Sequence, residues 1–160
     1  MRILFVCMGN ICRSPTAEGV LRARALEVGL TDLEIDSAGT GSWHIGKAPD
    51  VRARHAAAKR HYEIGGLRGR QVSAADFRIF DLILAMDLDN LADLKKLRPR
   101  GANARLQLLL DYAPDIGTRE VPDPYSGEED GFERVLDMIE LACDGLLEGI
   151  QGAKQGPGQR

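Results

Sequence analysis

Three side chains stand out for what they could do together: the thiol of Cys7, the guanidinium of Arg13 and the carboxyl of Asp123. Cys7 opens the run Cys7-Met8-Gly9-Asn10-Ile11-Cys12-Arg13-Ser14, between the best strand and the best helix of the chain. A turn of that kind gathers backbone N–H groups at a helix N-terminus, which binds anions. A thiol placed there has its ionised, attacking form stabilised by the same dipoles and by a neighbouring guanidinium. Arg13 can fold back so that its planar fork grips two oxygens of a tetrahedral anion, which a Lys point charge would not reproduce. Phosphate fits such a cradle.

A thiolate attacking phosphorus must expel an alkoxide or phenoxide, and protonating that leaving oxygen is worth ~10²–10⁴ in rate. Asp123 sits between Pro122 and Pro124, whose fixed φ angles would hold a carboxyl rigidly, although the same Asp-Pro pair reads equally well as the opening of a plain turn. Glu120 is the neighbouring acid to test next. Ser14 can donate a hydrogen bond to the Cys7 sulfur, and it also suits the N-cap of the following helix. Other phosphate motifs fail. Gly46-Lys47 is followed by Ala48 rather than Ser or Thr, and Gly39, Gly41 and Gly46 miss the dinucleotide spacing. His44, His55 and His61 are not paired at ligand spacing, so no metal site is expected, and His55 and His61 read as helix-surface residues.

The elements that must position these groups alternate. Ile3 to Val6 is a continuous β-prone run, as a strand covered on both faces reads. A helix runs from Pro15 to Val28 and is closed by Gly29; a second strand follows over Leu33 to Ser37. Ala38 to Pro49 is a Gly-rich loop, and Asp50 to Tyr62 a helix with a basic face. Ser73 can cap a short helix through Phe80. Leu82 to Met86 is a third strand, Asp87 to Leu97 a helix, and Ala104 to Leu110 a fourth strand. Tyr112 to Glu128 is a long loop, Glu129 to Ile150 a closing amphipathic helix, and the tail from Gly152 is expected to be disordered. Such alternation implies an α/β domain, a parallel sheet with helices on both faces, whose ligands sit beyond the carboxyl ends of the strands. The domain spans 1–151 and the tail 152–160.

Composition agrees. With 160 residues the chain makes one domain, and 21 Lys and Arg against 24 Asp and Glu leave a charge of −3, which gives no reason to expect nucleic acid or an anionic membrane as partner. Three Cys are too few and too unevenly spaced for a secreted disulfide framework, and Ile3 to Met8 is too short for a signal segment. A cytoplasmic location follows as the expectation.

Four segments, in order over nearly the whole chain, resemble the low-molecular-weight protein tyrosine phosphatases: Cys7 to Ser14, Asp36-Ser37-Ala38-Gly39-Thr40, Ala85-Met86-Asp87 with Asn90, and Asp123-Pro124-Tyr125. The resemblance implies a four-stranded parallel sheet with the phosphate-binding loop after the first strand. It also implies hydrolysis of phosphotyrosine in proteins through a phosphocysteine intermediate, without metal or cofactor. In that scheme Cys7 is the nucleophile, Arg13 the phosphate clamp, and Asp123 the general acid and then the base. Met8, Gly9, Asn10, Ile11, Cys12 and Ser14 would line the phosphate, with Trp43 and Tyr125 as walls of an aromatic slot. Asn10 and Ser37 resemble the pair that braces the loop, while Asp87 either supports that network or caps a helix. Tyrosine-phosphorylated proteins would be the substrates, with a cognate tyrosine kinase as a further partner.

Ile11 stands where relatives acting on phosphoarginine resemble one another in carrying Thr, which favours phosphotyrosine here. Cys12 reads either as a thiol able to form a reversible disulfide with Cys7 or as a packed loop residue. Leu67 and Ser126 depart from the family pattern. Three other activities compete: phosphoarginine hydrolysis, thiol-dependent arsenate reduction, and phosphopeptide binding without turnover. Arsenate reduction needs a second relay pair of Cys, and no Cys lies between Cys12 and Cys143.

Overall fold

The computed structural model describes residues 1–155. Its centre is a parallel sheet of four strands, β1 (Arg2–Cys7), β2 (Glu34–Gly39), β3 (Leu82–Ala85) and β4 (Arg105–Leu108), in the order β2-β1-β3-β4. Ile3, Leu4, Phe5 and Val6 are all fully buried, which is why β1 reads as an unbroken apolar run. Ile3, Phe5 and Cys7 face one core, with α1 (Arg13–Glu27), α2 (Val51–Lys59) and α5 (Glu129–Gln155). Leu4 and Val6 face the other core, with α3 (Asp76–Ile79) and α4 (Leu88–Leu97). Because β2 and β3 lie on opposite sides of β1, the sheet order reverses beside the carboxyl end of β1, where a crevice for ligand opens. The loops after β1 and β3 therefore meet at one place. No helix among the described residues is long and apolar enough to cross a membrane.

Several boundaries differ from the sequence expectation. The first helix begins at Arg13 rather than Pro15, with Cys12 at its N-cap position and no side chain capping it, so Ser14 lies inside the first turn. The short helix expected from Ser73 occupies only Asp76–Ile79, and Asp76 turns back to accept from the Ser73 N–H at 2.9 Å. The fourth strand stops at Leu108, since Leu109–Tyr112 tightens into a 3₁₀ turn packed under α5. His61 follows α2 in a left-handed turn (φ 67°) instead of lying on the helix. The closing helix continues through Gln155 and corrects the tail expected from Gly152. Lys154 in its last turn pairs with Asp32 at 3.0 Å, and a cation there also complements the helix dipole. Residues 156–160 lie outside the described residues.

An ionic network ties α1, the end of α2 and α5 together. Arg24 donates to Glu140 (2.7 Å) and Asp144 (2.7 Å), Arg60 pairs with Glu133 (2.7 Å), Asp137 (2.9 Å) and Glu140, and the Tyr62 hydroxyl donates to Glu140. Burial pushes the Glu140 carboxyl up, but the hydrogen bonds from Tyr62, Arg24 and Arg60 outweigh it and hold the group below the usual carboxylate range. A carboxylate lowered in the folded state stabilises above its unfolded value of about 4.3 and loses that contribution as pH falls through the folded value. Thermal midpoints from pH 7 down to pH 3 should therefore fall more steeply in the wild type than in Glu140→Gln. Parallel curves would remove Glu140 from this role.

Candidate active site

The loop from Cys7 to Arg13 is fixed from outside. Thr40 and Gly41 donate their N–H groups to the carbonyls of Cys7 (2.9 Å) and Met8 (2.9 Å), and Asp50 donates to that of Ile11 (2.8 Å). A Cβ on Gly39 would stand 2.7 Å from the Met8 carbonyl oxygen, so only glycine lets the end of β2 approach the loop this closely. Within the loop Asn10 is left-handed, with φ 55°. Its side chain holds that conformation: Nδ2 donates to Ser14 Oγ (2.8 Å) and Ser37 Oγ (3.1 Å), and Oδ1 accepts from the Arg70 N–H (3.0 Å). Ser37 in turn donates to buried Glu18 at 2.8 Å, and Arg22 pairs with that carboxylate at 2.6 Å.

This geometry turns two donors on the Cys7 sulfur. The Asn10 N–H points at Sγ from 3.3 Å. Ser14 Oγ lies 3.0 Å from Sγ and 3.4 Å from the Ala38 carbonyl oxygen, and it already accepts from Asn10, so its single proton goes most favourably to the sulfur. Ser14 thus does not cap the helix and instead faces the thiol.

Arg13 is 2% exposed, and its Nη1 donates to Asp87 Oδ2 (2.6 Å) and the Val121 carbonyl (3.0 Å). Burial opposes its charge, but the Cys7 sulfur and the Asp87 and Asp123 carboxylates more than restore it and raise the group above the usual guanidinium range. Among the described residues no hydrogen bond occupies Nε or Nη2, which leaves one edge of the fork for two oxygens of an anion. Asp87 caps α4, Oδ1 accepting from the Asn90 N–H at 2.7 Å, while Oδ2 holds Arg13; among the described residues it makes no hydrogen bond to Asn10 or Ser37, so it supports the guanidinium and not the pair that braces the loop. Glu120 accepts from the Leu88 N–H at 3.0 Å, so it braces the start of α4.

Asp123 stands across the cleft, 42% exposed, with Oδ2 3.7 Å from Arg13 Nη2 and Oδ1 accepting from the Tyr125 N–H at 3.0 Å. The cleft holds about 180 Å³ and is lined by Cys7, Met8, Gly9, Ile11, Cys12, Arg13, Trp43, His44, Asp123 and Tyr125. Asn10, Ser14, Ser37 and Asp87 stand behind this surface and not in it. Cys12 is 5% exposed; burial first, then Asp50, the Cys7 sulfur and Asp123, push its thiol far up, so it stays protonated at neutral pH. Cys7, Cys12 and Cys143 are free. Among the described residues no three His, Cys, Asp or Glu side chains gather closely enough to hold a metal ion.

Sequence reasoning missed three contributors. His44 enters the cleft wall with its ring 6.3 Å from that of Tyr125, and no spacing signal links the two. Glu18 was concealed on a helix, though a Glu and an Arg four apart on α1 hint at a supported carboxylate. Arg52 is the third. It donates to the Tyr125 carbonyl (2.7 Å), lies over the rings of Tyr125 (5.6 Å) and Phe132 (4.7 Å), and is aimed by Asp50 at 3.0 Å. It therefore clasps the segment carrying Asp123 to α2. Arg52→Ala should lower kcat by about 10-fold through loss of that alignment. The alkylation rate of Cys7 should stay unchanged; equal losses in both would point to a general disturbance.

Known proteins resemble this chain in sequence and in fold. Residues 2–156 match the family described as low molecular weight phosphotyrosine protein phosphatase. A low molecular weight protein-tyrosine-phosphatase of Streptomyces coelicolor is 43% identical over 159 residues, covering 97% of this chain and 96% of its own. The crystal structure of a protein tyrosine phosphatase from Entamoeba histolytica, with Hepes in the active site, has a TM-score of 0.92 and 42% identity over 96% of this chain and 99% of that one. The drosophila arginine phosphatase has a TM-score of 0.90 and 33% identity, over 95% and 99%. By sequence and by fold alike, this chain belongs to the low molecular weight phosphotyrosine protein phosphatase family.

Proposed function

We propose that this protein hydrolyses phosphotyrosine in proteins by way of a phosphocysteine. The observation that carries the reading is the shared cleft, in which the Cys7 sulfur, the free edge of the Arg13 guanidinium and the Asp123 carboxyl face one small volume. The thiolate attacks phosphorus opposite the ester oxygen while Arg13 and the loop amides hold the three equatorial oxygens, whose charge they neutralise. Asp123 gives its proton to the departing phenol oxygen. As a carboxylate it then takes a proton from the water that attacks the phosphocysteine, and the Ser14 hydroxyl supports the sulfur as it leaves.

The walls favour an aromatic ester. Ile11, Trp43 and Tyr125 offer apolar and aromatic surface around the mouth, the kind of lining that takes up a ring. A basic phosphoguanidino group gains less from Ile11, so the arginine phosphatase in the structural comparison shares the scaffold with a different expected preference. Arsenate reduction is disfavoured because Cys143, the only thiol beyond Cys12, is fully buried in α5. The test is turnover in the presence of a chelator, with matched phosphotyrosine and phosphoarginine peptides. Phosphotyrosine should win by at least about 10²-fold in kcat/KM, a difference of the size that unpaired polar groups in a pocket produce. The reverse preference would assign the phosphoarginine reaction, and binding without turnover would leave only a phosphopeptide module.

A further inference from the structure

A second groove of about 620 Å³ continues from the phosphate cleft along the first turns of α4, sharing Met8, Arg13, Trp43 and Asp123 with it. Four carboxylates line it, Asp87, Asp89, Asp93 and Asp123, against two cations, Arg13 and Lys96. Arg13 is committed to the phosphate end and to Asp87, which leaves Asp89 and Asp93 facing a groove with one Lys on its lining. Asn90 also lines the groove. It is 2% exposed, and its carbonyl oxygen Oδ1 is buried with no hydrogen-bond partner among the described residues. Such an acceptor ordinarily has a donor, and leaving it without one is costly.

Resting on the phosphotyrosine reading, we propose that this groove binds a Lys or Arg side chain of the substrate, one to three residues from the phosphotyrosine. A cationic side chain supplies what the groove lacks: positive charge for Asp89 and Asp93, beside an Asn90 carbonyl that has no donor of its own among the described residues. Trp43, 69% exposed between cleft and groove, offers an aromatic face to the same cation. A metal ion is a poorer occupant, because among the described residues no three ligating side chains converge here. The other flank is unlike this one. There α2, packed on the opposite face of the sheet from α4, sets Arg52, His55 and Lys59 against Asp130 and Glu133 of α5, so that flank carries no excess of negative charge. An extended peptide advances about 3.3 Å per residue, so its flanking side chains pass over the two flanks in opposite directions from the phosphate. The basic residue is therefore required on one side of the phosphotyrosine only.

The experiment measures kcat/KM for phosphotyrosine peptides that differ only in carrying Lys or Glu at each of the three positions on either side, with p-nitrophenyl phosphate as a reference substrate. Lys should exceed Glu by about fivefold on one side, and the difference should shrink with added salt. In Asp89→Asn/Asp93→Asn the Lys-to-Glu ratio should approach one, and in Asp93→Lys it should invert; if the second variant does not fold, the first decides. Equal rates for Lys and Glu in the wild type, or a ratio unchanged in the double variant, would overturn the inference while hydrolysis of p-nitrophenyl phosphate left the phosphatase reading standing. Failure to hydrolyse any of these esters would overturn both.

Discussion

Cys7→Ser is expected to abolish turnover of every phosphate ester, lowering kcat by at least about 10⁴-fold, while the protein still binds phosphotyrosine peptide. The reasoning is local. The Asn10 N–H at 3.3 Å and the Ser14 hydroxyl at 3.0 Å face the sulfur, and a serine hydroxyl at the same position is a far weaker nucleophile than a thiol. The rest of the cradle does not depend on the sulfur for its shape, because Asn10 is held by Ser14, Ser37 and Arg70, and Arg13 by Asp87 and Val121. Binding measured by fluorescence polarisation should therefore survive where hydrolysis does not. Cys12 supplies the control: its thiol is protonated at neutral pH, so Cys12→Ser should stay within about tenfold of the wild type. Turnover in Cys7→Ser within tenfold of the wild type would place the nucleophile elsewhere and remove the phosphocysteine.

What could be read from the sequence was whatever chain neighbours decide. The apolar run of β1 and the loop of Cys7 to Arg13 are contiguous, so strand, turn and helix start appear together, and the parallel α/β layout follows from the alternation of elements. Boundaries set by distant packing were not legible. Ser14 has the chemistry of an N-cap as well as of a donor to Cys7, and its hydroxyl is taken by Cys7 and Asn10 because Ser37 and Arg70, far along the chain, hold Asn10 in place. The fourth strand looked longer because Leu109 and Leu110 continue the apolar run; they are buried under α5, not in the sheet. The last turn of the closing helix pairs with Asp32, over a hundred residues earlier, a contact that no neighbour in the chain announces.

The site divides along the same line. Cys7, Arg13 and Asp123 could be singled out by residue type and surroundings, but the ties that aim them join residues far apart in the chain. Arg52 reaches the backbone at Tyr125 and Gly127, and Val121 accepts from Arg13 while donating to Met86, so the segment carrying Asp123 is secured from α2, from α1 and from the end of β3. Asp87 showed why one sequence signal can carry two roles. A carboxylate has two oxygens, and here one caps a helix while the other holds a guanidinium.

Asp123→Ala should lower kcat/KM by ~10²–10⁴ for esters of poorly acidic alcohols and phenols, and by progressively less as the leaving group becomes more acidic. The gradient is the discriminating feature. A tyrosyl oxygen, whose parent phenol ionises near pH ~10, leaves reluctantly without a proton. A nitrophenolate is a far better leaving group and gains less from the acid. If Asp123 only served to hold the loop, the loss would be the same across the series, because misplacement of Tyr125 and Trp43 takes no account of the departing oxygen. The geometry supports the chemical role: the carboxyl is 42% exposed and lines the cleft, one oxygen is steadied by the Tyr125 N–H at 3.0 Å, and the other lies 3.7 Å from Arg13. Arg52→Ala offers the complementary case, since it leaves the carboxyl present but loosens its segment. It should reproduce the leaving-group gradient in weaker form, and a flat loss in both variants would leave the leaving oxygen without a proton donor on this loop.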